Sequence, residues 1–275
     1  MSDGPRNDGP GSGSTQPNSP LAPALAAKLR ALTPARVGLA RTGVSQETHD
    51  LLDFQRCHAQ ARDAVHSRLE GAALAATLAG ITQAEVVRLH SAAPDRTTYL
   101  QRPDLGRKLD EASRTLLEQF ASDEAAGSPP AEGPKLALIV ADGLSALAVE
   151  RHAAPLIQQL LPRLDGWVLA PLCVVEQARV AIGDEIGPAF GAQLSVVLIG
   201  ERPGLSSPDS LGAYITWAPR PGRTDAERNC ISNIRAEGLS YAQAAAQLVY
   251  YLTEARARQL TGVKLKEEAR SLKEG

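Results

Sequence analysis

Three polar segments hold the residue types that could grip or transform a ligand. Asp142-Gly143-Leu144-Ser145 follows the apolar run Leu136–Val140. Gly200-Glu201-Arg202-Pro203-Gly204-Leu205 closes the run that begins at Leu194. Arg228-Asn229-Cys230-Ile231-Ser232-Asn233-Ile234 comes after the run Ala213–Trp217. Glu201 offers a carboxylate to amide or hydroxyl donors, and Gly200 and Gly204 let a ligand approach the backbone. Cys230 is a nucleophile by type, but its segment has no histidine to lower the thiol pKa. Ser145 lies outside any Gly-x-Ser-x-Gly elbow, and neither the dinucleotide Gly-x-Gly-x-x-Gly nor the phosphate-loop pattern is present. His49, His58 and His66 share a helical stretch, but separations of 9 and 8 do not make adjacent metal ligands, so they read as solvated. Each polar segment alone also fits a tight strand-to-helix turn. Together they suit binding of something large and neutral better than hydrolysis.

Strands must bring these segments to one edge. Leu136–Val140 is continuously apolar, as a strand buried on both faces requires. After the turn at 141–145 the pattern predicts a helix to about Leu161, a strand at Trp167–Pro171 and a short helical or irregular crossover over 176–190. Strands at Leu194–Gly200 and Ala213–Trp217 follow, and Ser240 caps a long final helix over 240–260. Alternating strands and helices predict an α/β fold, a doubly wound parallel sheet with flanking helices. In such sheets ligands sit beyond the carboxyl ends of the strands, where the three segments fall.

Residues 24–125 read as a mostly helical N-terminal region. Leu21, Leu25, Leu29 and Leu32 make one helical stripe, either docked on its own domain or offered to a partner. A polar helix over about 46–70 opens at Ser45, with Leu51, Leu52, Ala59, Val65 and Leu69 as its apolar side. Residues 72–100 are alanine-rich, then mixed. Pro103 holds Arg102 extended, and Asp104 is placed to cap a helix from near Leu105 to about Phe120. The polar Gly/Pro stretch 122–134 marks a boundary, leaving the α/β domain at 134–262. Residues 1–23 are nearly all Gly, Pro, Ser, Asn, Asp and Thr and read as a disordered tail.

Whole-chain composition narrows the partners. Lys and Arg number 29 against 31 Asp and Glu, and aromatics are 4%, which disfavours nucleic acid. The cysteines, Cys57, Cys173 and Cys230, are too few and scattered for a disulfide framework or a four-thiolate zinc site, and suit a reducing compartment. No stretch approaches the ~18 apolar residues of a membrane span, and no signal peptide opens the chain. The expectation is a soluble, cytoplasmic protein with no membrane association.

Four segments in order complete the reading. Arg-Pro-Asp-Leu-Gly-Arg-Lys-Leu (102–109), Val-Ala-Asp-Gly-Leu-Ser (140–145), Gly-Glu-Arg-Pro-Gly-Leu (200–205) and Cys-Ile-Ser-Asn-Ile (230–234) resemble the small (light) subunit of ethanolamine ammonia-lyase, over roughly residues 33–260. The resemblance implies a hetero-oligomer in which a large TIM-barrel subunit carries the substrate site. The Rossmann-like domain of the small subunit covers base-on adenosylcobalamin at the interface. It implies a radical reaction, begun by homolysis of the cobalt–carbon bond, that converts ethanolamine to acetaldehyde and ammonia. It carries three cobalamin contacts onto this chain: Val180, in Ala178-Arg179-Val180 where the family has Gly-Arg-Val; Glu201; and Cys230. It implies no catalytic residue and no metal ligand in this subunit. The chain has no Asp-x-His-x-x-Gly run of the kind that replaces the lower base, in keeping with the base-on mode. Family members sent to bacterial microcompartments carry a helical N-terminal address, and here only the 21–32 stripe could serve as one. The residues taken alone also fit a stand-alone corrinoid- or nucleotide-binding module, or an assembly subunit that holds no ligand.

Overall fold

The structure, a computed structural model, describes residues 23–266 except 34, 40, 85 and 128–132. The tail expected at 1–23 lies outside the described residues but for Pro23. The chain falls into two compact units, Met1–Arg56 and Cys57–Gly275. In the first, α1 (Pro23–Leu32) precedes a short antiparallel pair, β1 (Arg41–Thr42) and β2 (Ser45–Gln46), and the start of α2 (Thr48–His66). Leu25, Leu29 and Leu32 are exposed and Ala26 is buried, so the described part of the leucine stripe faces solvent. Asp53 on α2 accepts from both Arg36 and Arg56, at 2.7 and 2.6 Å.

The second unit is α/β. After the rest of α2 come α3 (Gly71–Thr82), β3 (Val86–His90), α4 (Arg96–Gln101), α5 (Glu111–Gly127) and β4 (Lys135–Ala141). Then follow α6 (Ala146–Leu160), β5 (Val168–Leu169), β6 (Leu172–Glu176), α7 (Gly183–Ala189), β7 (Leu194–Gly200), β8 (Leu211–Trp217), β9 (Arg228–Ile234) and α8 (Tyr241–Arg258). The sheet order is β3-β6-β4-β7-β8-β9, with the short β5 also paired to β4. Apart from Lys135 at its start and Ser195, β4 and β7 are apolar because each face meets helices. Leu136, Leu138 and Val140 pack with α3, α6 and α8, while Ala137, Ile139 and Ala141 pack with α5 and α7. Ser240 caps the final helix as the sequence predicts, Ser145 caps one that the sequence marks only by a turn, and the helix expected to open at Ser45 begins at Thr48, with Ser45 in β2. Ser145 Oγ accepts from the Ala148 N–H at 3.3 Å, and Ser240 forms a capping box with Gln243.

The all-parallel sheet is not what forms. β3, β6, β5, β4 and β7 run parallel, but β8 and β9 are antiparallel to their neighbours, so the sheet is mixed. Residues 201–210 and 218–227 contain no α-helix, and without a crossover the chain must double back. Other differences are local. Residues 228–234, expected as a polar turn, form the strand β9. The strand expected at Trp167–Pro171 is two residues of β5, and the longer β6 follows it. The mostly helical stretch 24–125 contributes β3, which joins the sheet beside β6. Asp104 caps nothing: its carboxylate pairs with Arg102, and only a single 3-10 turn, Leu105–Arg107, follows. The helix starts at Glu111 instead, where Asp110 Oδ1 accepts from the Ser113 N–H at 2.8 Å.

Candidate functional site

Four loops leave the carboxyl ends of β3, β4, β6 and β7 on the same edge of the sheet. They enclose a cleft of about 480 Å³ lined by Tyr99, Gly143, Leu144, Arg179, Val180, Glu201 and Tyr214 among others. Backbone crossing makes this edge tight. Gly143 has φ +56°, and a Cβ there would strike the Gly200 carbonyl. A Cβ on Gly200 would strike the Ser145 and Asp142 carbonyls. Gly200 therefore admits the β4–α6 turn on its side-chain side, where the sequence suggests room for a ligand. The Leu144 N–H donates to the Gly200 carbonyl at 2.9 Å and locks the two turns together.

Beneath the cleft lies a buried polar floor. Asp142 is fully buried; its Oδ1 accepts from the Ala178 N–H at 2.9 Å, and its Oδ2 lies 3.3 Å from Arg96 Nη1. Arg96, from α4, also donates to the Gly143 carbonyl at 2.8 Å and the Val65 carbonyl at 2.7 Å. Two guanidinium groups lie over the Tyr99 ring, Arg96 at 4.8 Å and Arg179 at 4.3 Å from its centroid, and its hydroxyl donates to the Ala178 carbonyl at 3.1 Å. Burial outweighs the Arg96 attraction and pushes the Asp142 carboxyl up to about 6.

That shift has a consequence for stability. Between pH 4 and 6 the native Asp142 keeps a proton that the unfolded chain has lost. Its contribution is complete below the unfolded pKa and disappears as pH rises through about 6. The shift corresponds to roughly 3 kcal/mol. Asp53, Asp95, Asp104 and Asp209 are held below the usual carboxylate range and act in the opposite sense, so the test is a difference. Urea midpoints of wild type and Asp142→Asn should converge near pH 4, with wild type falling behind as pH rises to 7. A constant difference over that range would mean Asp142 is not protonated in the native state.

The three residues expected to meet the cofactor are placed as follows. Val180 opens a 3-10 turn after β6 and lines the cleft. Glu201 lines it from the end of β7. Glu201 Oε2 accepts from Ser210 Oγ and, at 3.1 Å, from the Asn233 N–H, while Oε1 accepts from no described residue. Cys230 lies out on β9, exposed, with Sγ 3.3 Å from Ser232 Oγ. It does not line the cleft; its cross-strand partner Tyr214 does. Burial, then the adjacent Cys230 and Glu201, push the Tyr214 phenol above its ordinary range. Sequence reasoning did not find Arg96, Tyr99, Ser210 or Tyr214. Their types carry no signal; only their convergence from separate segments does. His49, His58 and His66 are exposed, as expected of solvated residues.

These features define a class: an α/β protein with an open cleft at the carboxyl edge of its sheet, lined by backbone, tyrosine, arginine and one carboxylate. Among the described residues no cluster of three His, Cys, Asp or Glu could hold a metal ion, and no helix is long and apolar enough to cross a membrane. The family model for the ethanolamine ammonia-lyase light chain matches residues 24–266. The ethanolamine ammonia-lyase small subunit of Pseudomonas syringae pv. tomato is 55% identical over 272 residues, covering 98% of this chain and 90% of that relative. The small subunit of Ralstonia nicotianae is 59% identical over 243 residues, 88% of this chain and 87% of the relative. That of Pseudomonas aeruginosa (strain LESB58) is 56% identical over 246 residues, 88% and 86%. The chain belongs to the ethanolamine ammonia-lyase light-chain family and is therefore a small subunit of a lyase.

Proposed function

We propose that this subunit holds adenosylcobalamin, base-on, against a large catalytic subunit, through Val180, Glu201 and Cys230. The observation that carries the reading is Glu201. Two protein donors fix one carboxylate oxygen, and the other oxygen is left for a donor in the cleft. A corrin bears a rim of amide groups, which are such donors, and offers an apolar edge that Val180 can pack against. Tyr214 extends the contact surface towards Cys230. The residues thus suit the group. When bound, the cofactor supplies the radical chemistry that splits ethanolamine into acetaldehyde and ammonia. This chain's residues bind and orient it, and the partner subunit supplies the substrate site.

Co-expression with the large subunit tests the reading. The complex should release ammonia from ethanolamine when adenosylcobalamin is added, and the isolated chain should bind cobalamin weakly because half of the site belongs to the partner. An assembled complex without activity, or tight binding by the isolated chain, overturns the proposal.

A further inference from the structure

Glu201 is fixed by groups that are themselves held from outside the cleft. The loop 201–210 between β7 and β8 contains no α-helix. At its base the Glu201 N–H donates to the Ser210 carbonyl at 2.9 Å, and at its tip Gly204 and Ser207 close a tight turn. Among the described residues, the anchors of this loop to other elements fall on Glu201 itself and on the return limb 206–210. Ser145 Oγ donates to the Pro208 carbonyl at 2.9 Å, and Arg235 Nη1 donates to the Ser206 carbonyl at 3.1 Å. The buried Asp209 faces three basic side chains: Arg151 Nη1 at 2.8 Å, His152 Nε2 at 3.4 Å and Arg235 Nη1 at 3.8 Å. Arg235, in the turn after β9, is buried too. Its Nε donates to Asn233 Oδ1 at 3.1 Å. One guanidinium thus touches both sides of the Glu201 carboxylate. On one side it holds Ser206 and Asp209, the limb that ends in Ser210. On the other it grips Asn233, whose N–H is the second donor to Glu201 Oε2. Asn233 has φ +61°, a conformation uncommon for a residue with a side chain and one that Asn tolerates best. The rigid, planar fork of arginine suits tying two segments at a fixed angle, which the flexible stem of lysine does not.

We infer that Arg235, braced by Asp209, is the positioning residue of Glu201: it sets both donors to Oε2 and thereby the direction of Oε1. The inference rests on the reading of Glu201 as a cofactor contact. Neither Arg235 nor Asp209 lines the cleft, so their effect on a ligand there passes through Glu201. A carboxylate fixed before the ligand arrives loses little side-chain freedom on binding, and that saving appears as affinity.

A double-mutant cycle on the large–small complex tests this, with cobalamin binding read from the corrin absorption spectrum. Arg235→Met removes the donors at similar side-chain length and leaves Asp209 with Arg151 and His152. It should weaken cobalamin about 3- to 10-fold, the range of one net hydrogen bond. In the Glu201→Gln background the same change should cost less than about twofold, because the carboxylate that Arg235 directs is gone. Asn233→Gly is the second variant. Glycine suits φ +61° and keeps the N–H, but lacks the Oδ1 that Arg235 grips. It should lose affinity by a similar factor, and adding Arg235→Met to it should change little. If Arg235→Met does not assemble with the large subunit, the cycle is run with Asn233→Gly. General destabilisation would cost the same with either residue at 201, so equal losses in the two backgrounds overturn the inference. So does wild-type affinity in both Arg235→Met and Asn233→Gly. Failure of the underlying reading looks different: Glu201→Gln alone would bind cobalamin as wild type does.

Discussion

Replacing Arg96 by methionine should destabilise the folded chain by about 3–5 kcal/mol, the usual cost of removing one member of a buried pair. Arg96 and Asp142 side chains are 4% and 0% exposed, so water cannot replace what is lost. The charge loss is the smaller part. Asp142 already titrates at about 6, so at pH 7 it can take up a proton for about 1.5 kcal/mol more. The larger part comes from the Gly143 and Val65 carbonyls, which lose their donor at roughly 1–3 kcal/mol each. The penalty should therefore shrink by only about 1 kcal/mol between pH 7 and pH 5, where wild-type Asp142 is itself protonated. Urea unfolding at the two pH values measures it. A penalty that vanishes at pH 5 would assign the whole effect to the ion pair. Against a typical stability of about 5–15 kcal/mol, the loss is large enough to empty the cleft of its shape. Arg96 ties α4, the end of α2 and the turn after β4 into one floor.

Cobalamin affinity of the large–small complex should fall about 10- to 100-fold on replacing Glu201 by alanine. A hydrogen bond to a charged group is worth about 1.5–3 kcal/mol, and each 1.4 kcal/mol is a factor of ten. Alanine also strips the Ser210 hydroxyl and Asn233 N–H of their acceptor, so some fold stability goes with it. Glu201→Gln separates the two effects. Its amide oxygen can still accept from Ser210 and Asn233, while its NH2 would face the cofactor's own donors. Glutamine should lose as much affinity as alanine and melt close to wild type. Affinity within about twofold of wild type in the glutamine variant would remove Glu201 from the site, since a carboxylate–amide bond is worth more than that.

Much of the fold can be read from local signals. The apolar runs Leu136–Ala141 of β4 and Val196–Ile199 of β7 identify strands buried on both faces, and Ser240 marks the start of the final helix. β3 could not be read so, because its burial alternates and Arg88 points outward, leaving only a short period-2 pattern. Asp104 was misleading for a physical reason. A carboxylate beside an arginine can cap a helix or close on its neighbour, and here Arg102 captures it.

By itself the sequence determined the class, the family, the parallel core strands and the candidacy of Val180 and Glu201, all written in contiguous residues. The tertiary structure alone decided the rest. It turned β8 and β9 antiparallel, put Cys230 on a strand outside the cleft, paired Arg96 with Asp142, and set Arg96 and Arg179 against the Tyr99 ring. Strand pairing and the pKa of a buried carboxylate depend on groups that meet only after folding. The same holds for Asn233 and Arg235, which reach Glu201 and its loop only when β9 pairs with β8.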